Sequence, residues 1–496
     1  MFKIKTNIFY FYKMKISEIF NLGLTQAYLD FVDIDLDTDL LVFIDPTALR
    51  SLESQWGHKC ASQVQQFFQT VLDYIHTGNH VEAKALLSNL NERNEFHIGY
   101  SSGKSRGAGF GSISADLVWD ALCKSQAAKT GLLRDIEDTC LSIEGIGSDM
   151  ISDAICNIIR PMLIEYTQDM CDYYGIPTTS NVNSGPIWNI QTKLWEEKPE
   201  RLPIVEGKLF LLIPKKIVRR KIAYDYQEYY HHYILPELQR EHIRSGSSLV
   251  HYLKKNGAPR VFKKDLLEKY GNTKQSAIKQ TLGREHIWEQ YKNDKEEKPQ
   301  LPISNDSFLE LQNQPAIDWD SLILELRNIP KGRNDADAYE KVIEKILSAL
   351  FYPNLTYPTK QAKLHEGRKR VDIQYTNEAK NGFFHWLMHY PCSYIFMECK
   401  NYTNKISNPE IDQLSGRFSP NRGKVGFLLI RDCENQQLLD QRCKDTAQDG
   451  RGFIISLTDQ DLFELISTYR SASPYNEGSD RHQYPLLRRK FNNLIN

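Results

Sequence analysis

The sequence predicts an α/β protein in two parts. A carboxy-terminal mixed sheet flanked by helices follows a larger mixed α/β region that ends in a basic helical segment. Three observations predict it. Past residue 318, short runs rich in branched and aromatic residues alternate with stretches of helical periodicity, the order of a sheet covered on both faces. Before residue 240, apolar runs and amphipathic stretches are mixed without an internal repeat. Between the two, from Lys292 to Asp318, a charged run gives way to polar, proline-containing sequence of little periodicity, which reads as a linker. The expected division is 14–240 for the first α/β domain, 241–291 for the basic helical segment and 292–318 for the linker. Residues 319–470 form the second domain and 471–496 a tail.

Composition sets the limits within which those parts must work. At 496 residues the chain exceeds one ordinary core. Its hydrophobic share of 41% and charged share of 25% exclude a disordered chain. The longest apolar stretch, residues 150–170, is interrupted by Asp153, Asn157, Arg160 and Pro161, so it predicts a buried helix and not a membrane span. Nine cysteines, an odd number without a CxxC pair, predict reduced thiols and a cytoplasmic setting, with neither zinc site nor disulfide frame. Residues 1–13 lack the small-residue cleavage site of a signal peptide, and Met14 opens a more ordinary start. Because the net charge is −1, any surface for a polyanion must be local.

In the first domain, residues 40–44 and 209–213 predict strands, and 61–74 and 149–172 predict helices. Two attractive motifs fail. Gly99 to Ser105 has three residues between its glycines where a phosphate loop needs four. The alternating Asp33, Asp35, Asp37 and Asp39 lack the glycine and final glutamate of a calcium loop. The basic segment is more informative. Between Lys254 and Lys292 ten Lys and Arg stand against four Asp and Glu, a net of +6. Residues 263–270 and 274–282 predict two short helices joined by Gly271-Asn272-Thr273. As a helix-turn-helix, this segment would offer Lys263, Lys264, Lys274 and Lys279 to nucleic acid. Solvated helices on a bundle surface are the competing reading. Lys215, Lys216, Arg219, Arg220 and Lys221 extend the positive charge, and the spacing of the tyrosines in 224–233 favours core packing over base stacking.

The second domain predicts a helix over 335–350, strands over 355–363, 370–375 and 394–400, then helix 409–418, strand 425–431, helix 436–446, strand 452–456 and helix 459–467. Strand alternation puts Asp372 on the face opposite Val371 and Ile373, and it puts Glu398 and Lys400 on one face at the end of an apolar strand. Charges ending a buried strand cost several kcal/mol unless they are paired or hold a metal. Side by side, the two strands would let Asp372 and Glu398 share one divalent cation near Lys400.

Asp372 followed by Glu398-Cys399-Lys400 resembles the signature of the PD-(D/E)XK, restriction-endonuclease-like nuclease superfamily, and is most similar to its Mrr-like branch. The similarity spans about 150 residues. Glu340 on the first helix resembles an acidic residue that many relatives bring to the metal, and Gln413 a glutamine near the scissile phosphate. Arg368, Lys369 and Arg370 supply cations for a phosphate backbone. Two features depart from the pattern: no proline precedes Asp372, and residues 376–392 form an extra segment.

The resemblance implies an endonuclease dependent on Mg²⁺ or Mn²⁺, with Asp372 and Glu398 as metal ligands, Lys400 assisting, and Glu340 and Gln413 supporting. It further implies DNA as the favoured substrate, a homo-oligomer with no membrane partner, and defence against foreign phage or plasmid DNA. An RNase of the same fold and a non-catalytic nucleic-acid-binding or assembly protein are the alternatives.

Overall fold

Local sequence signals place several of the helices. The computed structural model describes residues 14–99, 112–129, 131–360, 372–401, 408–472 and 480–496. Helices used below are numbered in chain order. Helix α1 (Gln55–His76) starts where the Ser54 hydroxyl accepts from the Gly57 amide and buries Val64, Phe67, Phe68 and Val71 along one stripe. The helix expected over 149–172 is two helices, α2 (Ser148–Ile158) and α3 (Arg160–Tyr174). Pro161 has no amide to donate to the preceding turn, so it opens a new helix.

The strands expected in this region are reduced to fragments. Only Phe43–Ile44 pairs with Val218–Arg219, and only Lys208–Leu209 pairs with Ile204–Val205. Residues 210–213 are buried without a ladder. The Leu211 amide donates to the Glu95 carbonyl and the Leu212 amide to the Thr167 hydroxyl, partners from distant segments that no local pattern encodes.

The basic segment folds as α4 (Lys263–Tyr270), α5 (Lys274–Thr281) and α6 (Glu285–Glu297). The stretch expected as a linker is ordered. Lys292 lies within α6 and reaches Asp135 at 2.7 Å and Asp138 at 3.2 Å, and Phe308 is fully buried. Pairing and apolar contact from outside the segment override its polar composition.

Among the described residues, the apolar side chains gather in two buried cores. One runs from Ile16 to Phe308 with Tyr352, and the other from Trp319 to Leu494. The second core surrounds a five-stranded sheet in the order β1 (Leu355–Lys360), β2 (Ile373–Asn377), β3 (Tyr394–Lys400), β4 (Val425–Ile430) and β5 (Phe453–Thr458). β1, β2 and β3 pair antiparallel; β3, β4 and β5 pair parallel. Every residue of β4 is buried, as a central parallel strand requires. The sheet is flanked by α7 (Ala336–Phe351), α8 (Asn408–Ser415), α9 (Gln436–Gln448) and α10 (Asp459–Ser471). The segment expected as a tail carries α11 (Pro485–Ile495), which buries Leu486, Leu487 and Phe491 against β5 and α9. Its apolar stripe makes it part of the second core.

The two cores are joined by polar contacts. The Glu378 carboxylate accepts from the Glu53 and Ser54 amides at 2.8 and 3.2 Å, at the positive end of α1. The Tyr357 amide donates to Asp30 at 3.0 Å and its hydroxyl to Asp169 at 2.7 Å. Lys216 donates to the carbonyls of Pro353 and Glu378.

Candidate functional site

The register of the sheet decides where the charged residues meet. Ile373 pairs with Met397, so Asp372, one residue before β2, lies across from Glu398. The Cys399 amide donates to Asp372 Oδ2 at 2.7 Å, which ties the carboxylate to the end of β3. Lys400 Nζ donates to Glu398 Oε1 at 2.7 Å. Asp372, Glu398 and Lys400 are thus brought together at one end of β2 and β3.

Glu340 borders this group from α7. Burial, and then the negative charge of Asp372, push its carboxyl up to about 7. Burial and then Glu398 push Asp372 up to about 6, against the Cys399 amide, Lys400 and Arg417, which favour its charged form. Carboxylates crowded this way gain from a nearby cation. Among the described residues, however, no group of three or more His, Cys, Asp or Glu side chains is arranged to hold a metal ion by itself.

The sequence reading missed the group that binds Glu398 from the other side. Arg417, 2% exposed, forms an ion pair with Glu398 Oε2. Both oxygens of this buried carboxylate therefore have cationic partners, and Arg417 Nε has no hydrogen-bond partner. Gly426 brings the arginine close. A Cβ there would meet the Phe418 ring at 3.1 Å and Leu414 at 3.2 Å, so the glycine lets α8 and the turn after it settle onto the sheet. A signal for Arg417 exists in the sequence: it continues the apolar stripe of Ile411 and Leu414, where a charged residue needs a buried partner.

Further polar residues frame this end of the sheet. The Tyr339 hydroxyl donates to Asp459 Oδ1 at 3.1 Å, and Arg431 Nε lies 3.1 Å from Asp459 Oδ2. Burial raises the Asp459 carboxyl to about 6. Buried Asn401 donates to the carbonyls of Pro330 and Gly332, holding the loop before α7 against the end of β3.

Other expected site residues stand apart from this cluster. Gln413 is exposed on α8. Arg368, Lys369 and Arg370 lie outside the described residues. Glu344, one turn after Glu340 on α7, is 8% exposed and pairs with Lys360 at 2.7 Å. In the basic segment Lys264 and Lys279 are exposed, whereas Lys263 is half-buried and donates to the His231 carbonyl. Lys274 is buried and donates to the carbonyls of Ile143 at 3.1 Å and Ile146 at 2.6 Å, so its charge faces the protein and not a groove. The reason is tertiary: α5 buries Lys274, Ala277 and Ile278 against the segment around residues 138–146. Tyr224, Tyr229 and Tyr230 are core residues. All nine cysteines are free. No helix of the described residues is long and apolar enough to cross a membrane.

Comparison with known proteins adds little to this geometry. No curated protein and no solved structure matches the chain. Residues 21–225, within the first core and ending well before the sheet that carries the carboxylates, are similar to a family described as a domain of unknown function, DUF8370.

Proposed function

We propose that the protein is a divalent-metal-dependent endonuclease of the restriction-endonuclease-like type that hydrolyses phosphodiester bonds, with DNA favoured over RNA. The observation that carries this reading is the meeting of Asp372, Glu398 and Lys400 at the end of two paired strands, bordered by Glu340. The five-stranded mixed sheet with helices on its faces is compatible with it.

Asp372 and Glu398 would hold Mg²⁺ or Mn²⁺, hard ions that accept oxygen ligands and need only one or two protein carboxylates. When bound, the ion would supply positive charge beside the phosphate and a more acidic water. Lys400 steadies the negative charge that develops on the phosphate. Glu340, whose carboxyl titrates near neutrality, is suited to take up a proton. Lys264 and Lys279 are among the exposed cations of the basic segment, with Lys254, Lys255, Arg260 and Lys269, that would meet a nucleic-acid backbone. Cutting both strands requires two such sites, so a homo-oligomer is part of the proposal, and defence against foreign DNA is the role the resemblance implies.

Arg417 favours a second reading. A buried guanidinium on Glu398 competes with a metal for that carboxylate, as expected of a nuclease fold retained for nucleic-acid binding or assembly. One assay separates the readings. The full chain is incubated with supercoiled plasmid and MgCl₂ beside its Glu398→Ala and Lys400→Ala variants, with a tRNA arm in parallel. Nicking by the wild type that both variants lose supports the enzyme. Equal nicking by all three, or by none, removes the hydrolytic mechanism.

A further inference from the structure

A second site is built of cations. Where the two cores meet, a cavity of about 420 Å³ is lined by Lys216, Arg219, Arg220, Lys221, Lys380 and Arg481, with His482 beside them. No Asp or Glu among the described residues lines it. In a chain of net charge −1 this is a strong local segregation. The compensating carboxylates stand behind the cations: Asp306 pairs with Arg481 at 2.8 Å and Glu53 with Lys380 at 2.5 Å. Arg220 and Lys221 are exposed, and neither has an ion pair with a described residue.

The cavity lies away from the carboxylate site. Asn354 precedes β1 and Asn381 follows β2, so it opens at the end of the ladder where Leu355 pairs with Asn377. Asp372 is five residues back along β2, about 16 Å at an ordinary strand rise.

We propose that this cavity binds a small phosphate-bearing ligand of the nucleoside polyphosphate class. The cations match a multiply charged anion; Arg219 and Lys216 are recessed, 3% and 7% exposed, and already donate to backbone carbonyls, which leaves direct contact with a small group to the exposed Arg220 and Lys221. The volume exceeds what a single phosphate needs and falls in the range of ligand clefts. Tyr352 and Tyr469 supply aromatic wall, and Gln300, Asn354 and Asn381 supply amides for a base. The cations also oppose one another. Burial first, and then Lys216 and Arg481, hold His482 down at about 4. Because both cores contribute walls, a bound ligand joins them and stabilises the native chain.

The test uses the full chain, calorimetric titration and thermal melting at matched ionic strength. The probes are ATP, inorganic triphosphate and a short oligodeoxynucleotide without terminal phosphate. The expected result is binding of ATP, more weakly of triphosphate, with a raised melting temperature. Substituting the exposed pair, Arg220→Ala with Lys221→Ala, leaves the melting temperature of the free protein unchanged and weakens ATP binding by about tenfold or more. Lys400→Ala, at the other end of the sheet, leaves ATP binding intact, which separates this site from the proposed nuclease centre. Three outcomes would each overturn the assignment: no ATP binding beyond that of matched salt, equal affinity in the double variant and wild type, or binding by the oligodeoxynucleotide alone.

Discussion

Replacing Arg417 with methionine strips the Glu398 carboxylate of one of its two cations and leaves the packing volume nearly unchanged. Glu398 and Arg417 are 1% and 2% exposed, so water cannot take over the lost interaction. Removing one member of a buried ion pair costs about 3–5 kcal/mol. Lys400, still 2.7 Å from the other oxygen, keeps Arg417→Met near the lower end, about 3 kcal/mol. For a unit of this size that corresponds to a fall of about 6–12 °C in melting temperature. The double substitution Glu398→Gln with Arg417→Met recovers most of the loss, because neither charge is then left alone. The same variant reports on the metal. If Arg417 occupies the place a cation would take, MgCl₂ at about a hundredfold excess over its dissociation constant returns about 2.7 kcal/mol to Arg417→Met and much less to the wild type. Scanning calorimetry and urea unfolding with and without MgCl₂ read both effects. An Arg417→Met chain that melts with the wild type would refute the pairing. Equal stabilisation of the two by magnesium would refute the competition.

Two further predictions concern residues away from the cluster. Burial, and then Asp149, Glu92 and Asp39, push the Asp153 carboxyl up to about 8. The folded chain therefore holds a proton that the unfolded chain has released above its ordinary value of about 4. Stability from this group is present at acid pH and declines as pH rises through 8, by up to about 1.4 kcal/mol per pH unit. Asp153→Asn should flatten the melting profile between pH 5 and 8 and melt higher than wild type at pH 8. A variant that keeps the wild-type slope would contradict this. In the basic segment, Lys274→Ala should cost about 2 kcal/mol by orphaning two buried carbonyls, while Lys279→Ala melts with the wild type and alone changes the salt dependence of nucleic-acid binding. Melting curves and binding isotherms at two salt concentrations decide between them.

Much of the second unit was legible because its signals are local. β3 was read to the residue, since an apolar run with a charged end admits few other registers. β4, β5, α7, α9 and α10 differ from expectation by a few residues at their ends. The convergence of Asp372, Glu398 and Lys400 was likewise legible, because period two orients each side chain once its strand is known. The first unit resisted. Its backbone is satisfied by side chains and loop carbonyls from distant segments, as at Leu211 and Leu212, and such partners leave no periodicity.

By itself, the order of residues determined the main helices of the second unit, the strands of its sheet and the face on which Asp372, Glu398 and Lys400 would stand, because these follow from backbone geometry and the spacing of apolar positions. Only the tertiary structure decided which charges are spoken for. Arg417 closes on Glu398, Lys274 and Lys292 turn inward, and Lys216 and Arg219 assemble with Arg481 from far along the chain. A charge acts through the space around it, and the neighbours that fill that space are set by packing between segments, which no local pattern encodes.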